Sequence, residues 1–326
     1  MKKIKFISTG GTIAMNENEN GKLEPEFSGV ELINGLPELK KICKIDAYEF
    51  SNIDSSQMTP EIMFKLTQLV AKNLESPEID GVVITHGTDT LEETAYMMDL
   101  IIDNSKPVVI TGAMRGALEL SSDGQANLYQ AFQVAVNDKS REQGVLVVLN
   151  NEIHTAKLLT KRHSTNLAAF TSINSGKIGE ISDKKVNYFY NARPSSTIKT
   201  KNINNEVILL KIVPGFEPFI IDTLLNNNEL DFKGLVIEAY GSGAIPSNIV
   251  PSLERSIERG IKVVLTSRCL EGDVHNIYAA SGGKKDPEEL GIIFSQGLNG
   301  QKARIKLMLM LGGDYLAKEI KDSFHS

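Results

Sequence analysis

The chain has 326 residues, of which 41% are hydrophobic and 23% charged. That is the mix of an ordinary globular protein, and it excludes disorder, collagen and a bare coiled coil. Against 35 Lys and Arg stand 41 Asp and Glu, a net charge of −6, which argues against the basic face of a nucleic-acid binder. The longest apolar runs, such as Val82–Ile84 and Val145–Leu149, fall far short of the roughly 18 to 20 residues that cross a bilayer. Neither nucleic acid nor membrane is therefore an expected partner.

At roughly 150 residues per domain the length suggests two domains or one large one. The chain opens with a short β-type run, Ile4–Ser8. Lys5 and the Ser8-Thr9-Gly10-Gly11 stop leave no room for the apolar stretch of a secretory signal, so a cytoplasmic protein is expected. Cys43 and Cys269 lie far apart and read as reduced thiols. No zinc-type spacing joins the five histidines and two cysteines, so no metal is expected. His154 and His163 read as surface residues.

Thr59-Pro60-Glu61 opens a helix, with Thr as N-cap and Pro in the first turn. Ile62, Leu66, Leu69 and Val70 then form one apolar face. Gly81–Thr85 is a continuous, β-branched run of the kind found in buried parallel strands. A helix follows from Leu91 to about Asp103. Pro107–Thr111 and Gly144–Leu149 are further buried strands, separated by a helix over Ala126–Val136. Such β-α-β repetition implies a parallel sheet covered by helices. Residues 191–206 are polar, carry Pro194 and several Asn, and read as a linker. A second α/β set begins at Val207–Ile212, continues through strands Gly234–Glu238 and Lys262–Thr266, and ends in a helix near Gln301–Leu311. The expected fold is two α/β domains with mainly parallel sheets: residues 1–190, which hold the reactive segments, and a smaller 207–326.

Ligands of open parallel sheets bind beyond the carboxyl ends of the strands. Four segments hold that position: Thr9-Gly10-Gly11-Thr12, Asp54-Ser55-Ser56-Gln57, Thr85-His86-Gly87-Thr88-Asp89-Thr90 and Thr111-Gly112-Ala113-Met114-Arg115. The first matches neither standard phosphate-loop pattern. It reads as a tight turn or as a loop whose N–H groups form an oxyanion site. Thr90 and Glu93 fit the S/T-x-x-E capping box of the next helix, but that leaves Gly87, Thr88 and Asp89 unexplained. A threonine hydroxyl becomes a nucleophile only beside a base. Lys161 is a candidate if it is buried next to Asp89; alone it reads as a solvated lysine.

Thr9-Gly10-Gly11-Thr12-Ile13-Ala14 followed by Thr85-His86-Gly87-Thr88-Asp89-Thr90 resembles the bacterial-type L-asparaginase/glutaminase family. Glu92–Tyr96, Lys106–Val109, Ser122-Asp123-Gly124, Asn127-Leu128-Tyr129, Gly144–Val148 and Gln301-Lys302-Ala303-Arg304 extend the resemblance over nearly the whole chain, in the same order. The resemblance implies hydrolysis of a small amino-acid amide, asparagine or glutamine, through an acyl-enzyme, with no cofactor. It places Thr12 as primary nucleophile and Thr88 as second catalytic threonine, with Asp89 and Lys161 completing a triad. Ser55 matches the contact to the substrate carboxylate, with Ser56 beside it. Asp89 would also bind the substrate ammonium, and Ala113 would face the leaving amide. The carbonyl oxygen would sit on N–H groups near Gly11 and Thr88. The family implies a homodimer or homotetramer, with each site completed by the second domain of a partner.

The sequence departs from the family in the segment Met15–Phe27. The family carries a tyrosine there, whereas this chain has Lys22 or Leu23 near that place and no tyrosine. The glutamate that supports that tyrosine from a neighbouring subunit aligns with Lys284. Tyr240 and Tyr278 are the alternatives to consider from C-terminal loops. Met15–Phe27 itself reads as a mobile lid. The cysteine pair of the secreted branch is absent, and Asp54–Pro60 looks more like the cytoplasmic branch. A non-catalytic amino-acid-binding relative is the alternative reading.

Overall fold

The computed structural model describes residues 1–227, 229–276, 287–313 and 315–325. The chain divides into two compact units, Met1–Thr197 and Ile198–Ser326.

In the first unit β1 (Lys3–Gly10) is followed by a hairpin, β2 (Met15–Glu17) and β3 (Leu23–Pro25), then α1 (Gly29–Asn34) and β4 (Lys44–Ile53). Three βα steps follow: α2 (Pro60–Glu75) and β5 (Gly81–Thr85), α3 (Leu91–Ile101) and β6 (Val108–Thr111), α4 (Gly124–Ala135) and β7 (Val145–Leu149). The unit ends in short strands, β8 (Glu152–Thr155), β9 (Leu159–Lys161), β10 (Phe170–Ser172), β11 (Gly179–Ser182) and β12 (Lys185–Tyr188). Eight strands form one sheet in the order β12-β11-β8-β7-β6-β5-β1-β4. From β4 to β7 every pairing is parallel. From β7 through β8 and β11 to β12 every pairing is antiparallel.

Alternate residues of the central strands enter opposite layers, because successive strand side chains point to opposite faces. Val83, Val109, Leu146 and Val148 pack with Leu128, Ala131 and Phe132 of α4. Val82, Ile84, Val145 and Val147 pack with Leu66 and Val70 of α2 and with Leu91, Ala95 and Met98 of α3. With both faces covered, these strands read as unbroken apolar runs. Thr59 caps α2 as the sequence implies, its hydroxyl accepting from Ile62 N, and Pro60 is the first helical residue. The capping box at Thr90 does not form: its hydroxyl donates instead to Ser55 O at 2.8 Å.

The segment read as a mobile lid contains a hairpin, with Asn16 opposite Glu24. Its turn is fastened by Asn18, whose side-chain oxygen accepts from Asn20 N and Lys22 N at 2.9 and 3.1 Å. Gly21 takes φ +70°, and Asn20-Gly21 is the dipeptide that favours tight hairpin turns. The flanking strands have only three residues each, too short for an apolar alternation to announce them.

The second unit has β13 (Val207–Lys211), α5 (Phe219–Asn226), β14 (Gly234–Ala239), α6 (Val250–Glu258), β15 (Lys262–Ser267), β16 (Ile293–Phe294), α7 (Gly300–Gly312) and α8 (Ala317–Ser323). Its four strands form a parallel sheet in sequence order. Ile221 and Leu225 of α5 and Leu253 of α6 share a core with Leu235, Ile237, Val263 and Leu265. α7 is followed by α8, anchored by buried Ile320 and by buried Phe324 at its C-cap. No helix among the described residues is long and apolar enough to cross a membrane.

Candidate active site

All four segments singled out from the sequence leave neighbouring strands of one sheet. They follow β6, β5, β1 and β4, which are adjacent in that order. Two glycines bring the middle loops into backbone contact. A Cβ on Gly11, whose φ is +81°, would lie 2.3 Å from Gly87 Cα. A Cβ on Gly87 would lie 2.6 Å from Ser55 Cβ. Only glycine allows three chain segments to meet so closely, and Thr12 and Thr88 each follow one of these glycines.

Thr12 is half-buried and opens a short 3-10 turn, Thr12–Ala14. Thr88 is buried and its Oγ1 accepts from Lys161 Nζ at 2.9 Å. The same Nζ lies 2.6 Å from Asp89 Oδ1. Lys161 is thus no solvated lysine: its side chain is only 13% exposed, while that of Asp89 is 64% exposed. An amine held between a hydroxyl and a carboxylate is a candidate partner for a threonine nucleophile. Ser55 is buried, and its Oγ accepts from Asp89 N at 3.3 Å. Ser56 is exposed, and its N–H is held by Asp54 Oδ1 at 2.7 Å.

Ala113 is buried and belongs to a loop tied down on both sides. The Asp123 carboxylate accepts from Met114 N and Arg115 N at 3.0 and 3.1 Å. Asn127 Nδ2 donates to Gly112 O at 3.0 Å and to Asp123 Oδ2 at 2.9 Å. In the sequence Asp123 and Asn127 are only letters within family-like motifs; in the fold their task is to fix the backbone at Ala113.

No sequence pattern singles out His86, although it directly precedes Gly87. It is fully buried, with Nδ1 2.8 Å from Gly87 O and Nε2 2.9 Å from Thr94 Oγ1. These contacts assign the proton to Nδ1, which donates to the carbonyl, while Thr94 donates to Nε2. Burial pushes the imidazole down to about 4, against a smaller opposing effect of the Gly87 hydrogen bond. The unfolded chain, titrating near 6.5, therefore takes up the proton first. Stability is whole above about pH 6.5 and is lost as the pH falls toward 4. Between pH 6.5 and 4.5 the expected loss is about 2 kcal/mol. Urea midpoints at those two pH values should show it, and His86→Gln should flatten the difference.

His154 is not at the surface. It is buried, bonded to Ser172, and 3.4 Å from Glu152; His163 is exposed. Tyr240 lies in the second unit with the Arg268 guanidinium over its ring at 4.5 Å. Tyr278 and Lys284 lie outside the described residues. Among the described residues no group of three or more His, Cys, Asp or Glu could hold a metal ion.

Two family models match the chain. The model for the N-terminal part of asparaginase covers residues 3–194, and that for the glutaminase/asparaginase C-terminal domain covers residues 206–324. The chain belongs to the asparaginase family. As a member of that family it is an amidohydrolase. An L-asparaginase of Bacillus licheniformis is 32% identical over 325 residues, 99% of each chain. A glutamyl-tRNA(Gln) amidotransferase component of Pyrococcus furiosus is 35% identical over 98% of this chain, which spans 74% of that protein. The crystal structure of a probable cytoplasmic L-asparaginase from Campylobacter jejuni superimposes with a TM-score of 0.87. It is 36% identical and matches 100% of both chains.

Proposed function

We propose that the chain hydrolyses asparagine to aspartate and ammonia through a threonine acyl-enzyme, with glutamine as a second substrate. The observation that carries this reading is the Lys161 amine, enclosed between Thr88 Oγ1 and Asp89 Oδ1 next to the Gly11–Gly87 contact. Asparagine is a zwitterion with an amide at one end. The exposed Asp89 carboxylate receives its ammonium, and the donors at Ser55 and Ser56 receive its carboxylate. Holding both ends sets the amide carbon beside the threonines.

Thr12 Oγ bonds to that carbon and its proton passes to the amide nitrogen, while the oxyanion forms on N–H groups near Gly11 and Thr88. In a serine protease one such donor is worth roughly 3 to 4 kcal/mol. The oxyanion collapses to the ester carbonyl, the C–N bond breaks, and the protonated nitrogen leaves as ammonia near Ala113. Water then attacks the ester, and Thr12 regains its proton. Lys161, held by Asp89, takes part with the Thr88 hydroxyl in the proton relay between water and leaving group. No cofactor enters this scheme. The near end-to-end match with an L-asparaginase favours free asparagine over a tRNA-linked amide. By the same family likeness we propose a cytoplasmic homodimer or homotetramer.

Ammonia release from asparagine by purified protein, against a Thr12→Ala control, tests the reading. No release above that control, together with tight aspartate binding, would instead establish the non-catalytic binder that the tyrosine-free hairpin suggests. An active monomer in sedimentation at assay concentration would refute the assembly.

Lys22, at the hairpin turn, is exposed, and its charge suits a substrate carboxylate. If it meets substrate, Lys22→Ala raises KM much more than it lowers kcat, because binding common to ground and transition states is lost. A fall in kcat at constant KM would instead give it the tyrosine's chemical role. If neither parameter moves, it is a solvated lysine.

A further inference from the structure

The reactive lysine is not on the main sheet. It ends β9, one arm of a separate two-stranded hairpin with β10 in which Lys161 pairs with Phe170 and Leu159 with Ser172. An arm of three residues has little rigidity of its own, so what fastens it decides where the Lys161 amine sits. Near Lys161, the Thr160 hydroxyl donates to Glu92 Oε1 at 3.2 Å. At the other end, buried Ser172 Oγ meets buried His154 Nδ1 at 2.8 Å. His154 belongs to β8 of the eight-stranded sheet. Its Nε2 faces Glu152 Oε2 at 3.4 Å, and Lys177 Nζ holds the other carboxylate oxygen at 3.1 Å. The His154 hydrogen bond, with Lys177 helping against burial, brings the Glu152 carboxyl down to about 2. An ionised Glu152 keeps the Nε2 proton in place, which leaves Nδ1 free to accept the Ser172 hydroxyl.

We propose that Ser172, His154 and Glu152 are positioning residues for Lys161: a hydroxyl–imidazole–carboxylate clamp that locks the β9–β10 hairpin to the sheet. The clamp sets the amine against Thr88 and Asp89. Serine, histidine and glutamate also compose hydrolase triads. Here, however, the Ser172 hydroxyl lies in the closed layer between hairpin and sheet, 6% exposed, where no amide substrate reaches it. The energetic logic is that of an outer-shell partner: it touches no reacting atom but removes freedom from the group that does. A displacement of about 1 Å at a reacting group costs on the order of 100-fold in rate.

The inference rests on the asparaginase reading for its kinetic arm only. Ser172→Ala should lower kcat for asparagine about 10- to 100-fold with KM changed less than about threefold, because Ser55 and Asp89 are untouched. Ser172→Thr, which keeps the hydroxyl, should restore kcat. The second arm is independent of turnover: trace acetic anhydride labelling of the full chain, read by peptide mass spectrometry. Loss of the clamp should raise the labelling of Lys161 relative to Lys22 and the other exposed lysines in the same digest. His154→Gln should act in the same direction. Unchanged Lys161 labelling in Ser172→Ala overturns the proposal, even if the melting temperature falls, since that is the signature of mere packing. Unchanged kcat in an active enzyme overturns it as well. If the wild type releases no ammonia, the asparaginase reading fails, while the labelling of Lys161 still decides the clamp.

Discussion

Replacing Lys161 by Met should lower asparagine turnover about 1000-fold while leaving the fold intact. Removal of a positioned proton-transfer group typically costs 100- to 10,000-fold. Met approximates the length of the lysine stem, so the packing of a side chain that is 13% exposed is largely kept. The partner left behind, Asp89, is mostly solvent-exposed, so losing the ion pair should have little effect on stability. The expected result is an unchanged circular dichroism spectrum, a melting temperature within a few degrees, and ammonia release near background. Full release by Lys161→Met would remove the lysine from the mechanism and shift the burden to Thr12 alone. Restoring the family's aromatic group, by Lys22→Tyr or Leu23→Tyr, supplies the complementary gain-of-function test. A rise in turnover would mean that the site was kept and its usual activator lost.

Gly11→Ala should be strongly disruptive. Its Cβ would lie 2.3 and 2.4 Å from Gly87 Cα and N, in a residue whose φ is +81°. Neither neighbour is the end of a flexible side chain, so the two loops must separate. Gly21→Ala is the internal control: its φ of +70° is also left-handed, but nothing lies within 4 Å. Gly21→Ala should therefore cost only the backbone preference, about 1 to 2 kcal/mol. Gly11→Ala carries the same preference plus overpacking of typically 1 to 3 kcal/mol. Because the contact joins the loops bearing Thr12 and Thr88, activity should fall further than stability alone explains. Urea midpoints and ammonia release on both variants check this. Equal stability of the two would mean that the loops yield, and that the Gly11–Gly87 approach does not hold the site together.

How much of the fold is legible in the sequence depends on the kind of signal each element carries. The buried parallel strands β5, β6 and β7 are readable because both of their faces are apolar. Helix α2 is readable because Thr59 and Pro60 mark its start by local chemistry. The hairpin β2–β3 is not announced because its arms are only three residues long; the Asn20-Gly21 turn is the available sign. Thr90 misleads for a related reason. Its spacing to Glu93 satisfies a local capping pattern, but a carbonyl from another loop, Ser55 O, competes for the hydroxyl and wins. His154 reads as a surface residue because a polar side chain in a short segment defaults to solvent. Its burial depends on Ser172 and Glu152, which no local pattern announces.

The sequence alone determined the alternation of strand and helix, the two α/β sets and the four segments that follow the strand ends, because hydrophobic periodicity and glycine-threonine turns are local properties. It also carried the family, through motifs whose order survives over the whole chain. Only the tertiary structure decided that Lys161 leaves solvent to lie between Thr88 and Asp89. It likewise decided that Gly11, Gly87 and Ser55 meet, and that Asp123 and Asn127 clasp the loop at Ala113. Most of these are meetings of residues tens of positions apart in the chain. The physical reason is sheet order: β1 takes its place between β4 and β5, and that neighbour relation, which no single segment encodes, puts the ends of separate strands within hydrogen-bonding distance.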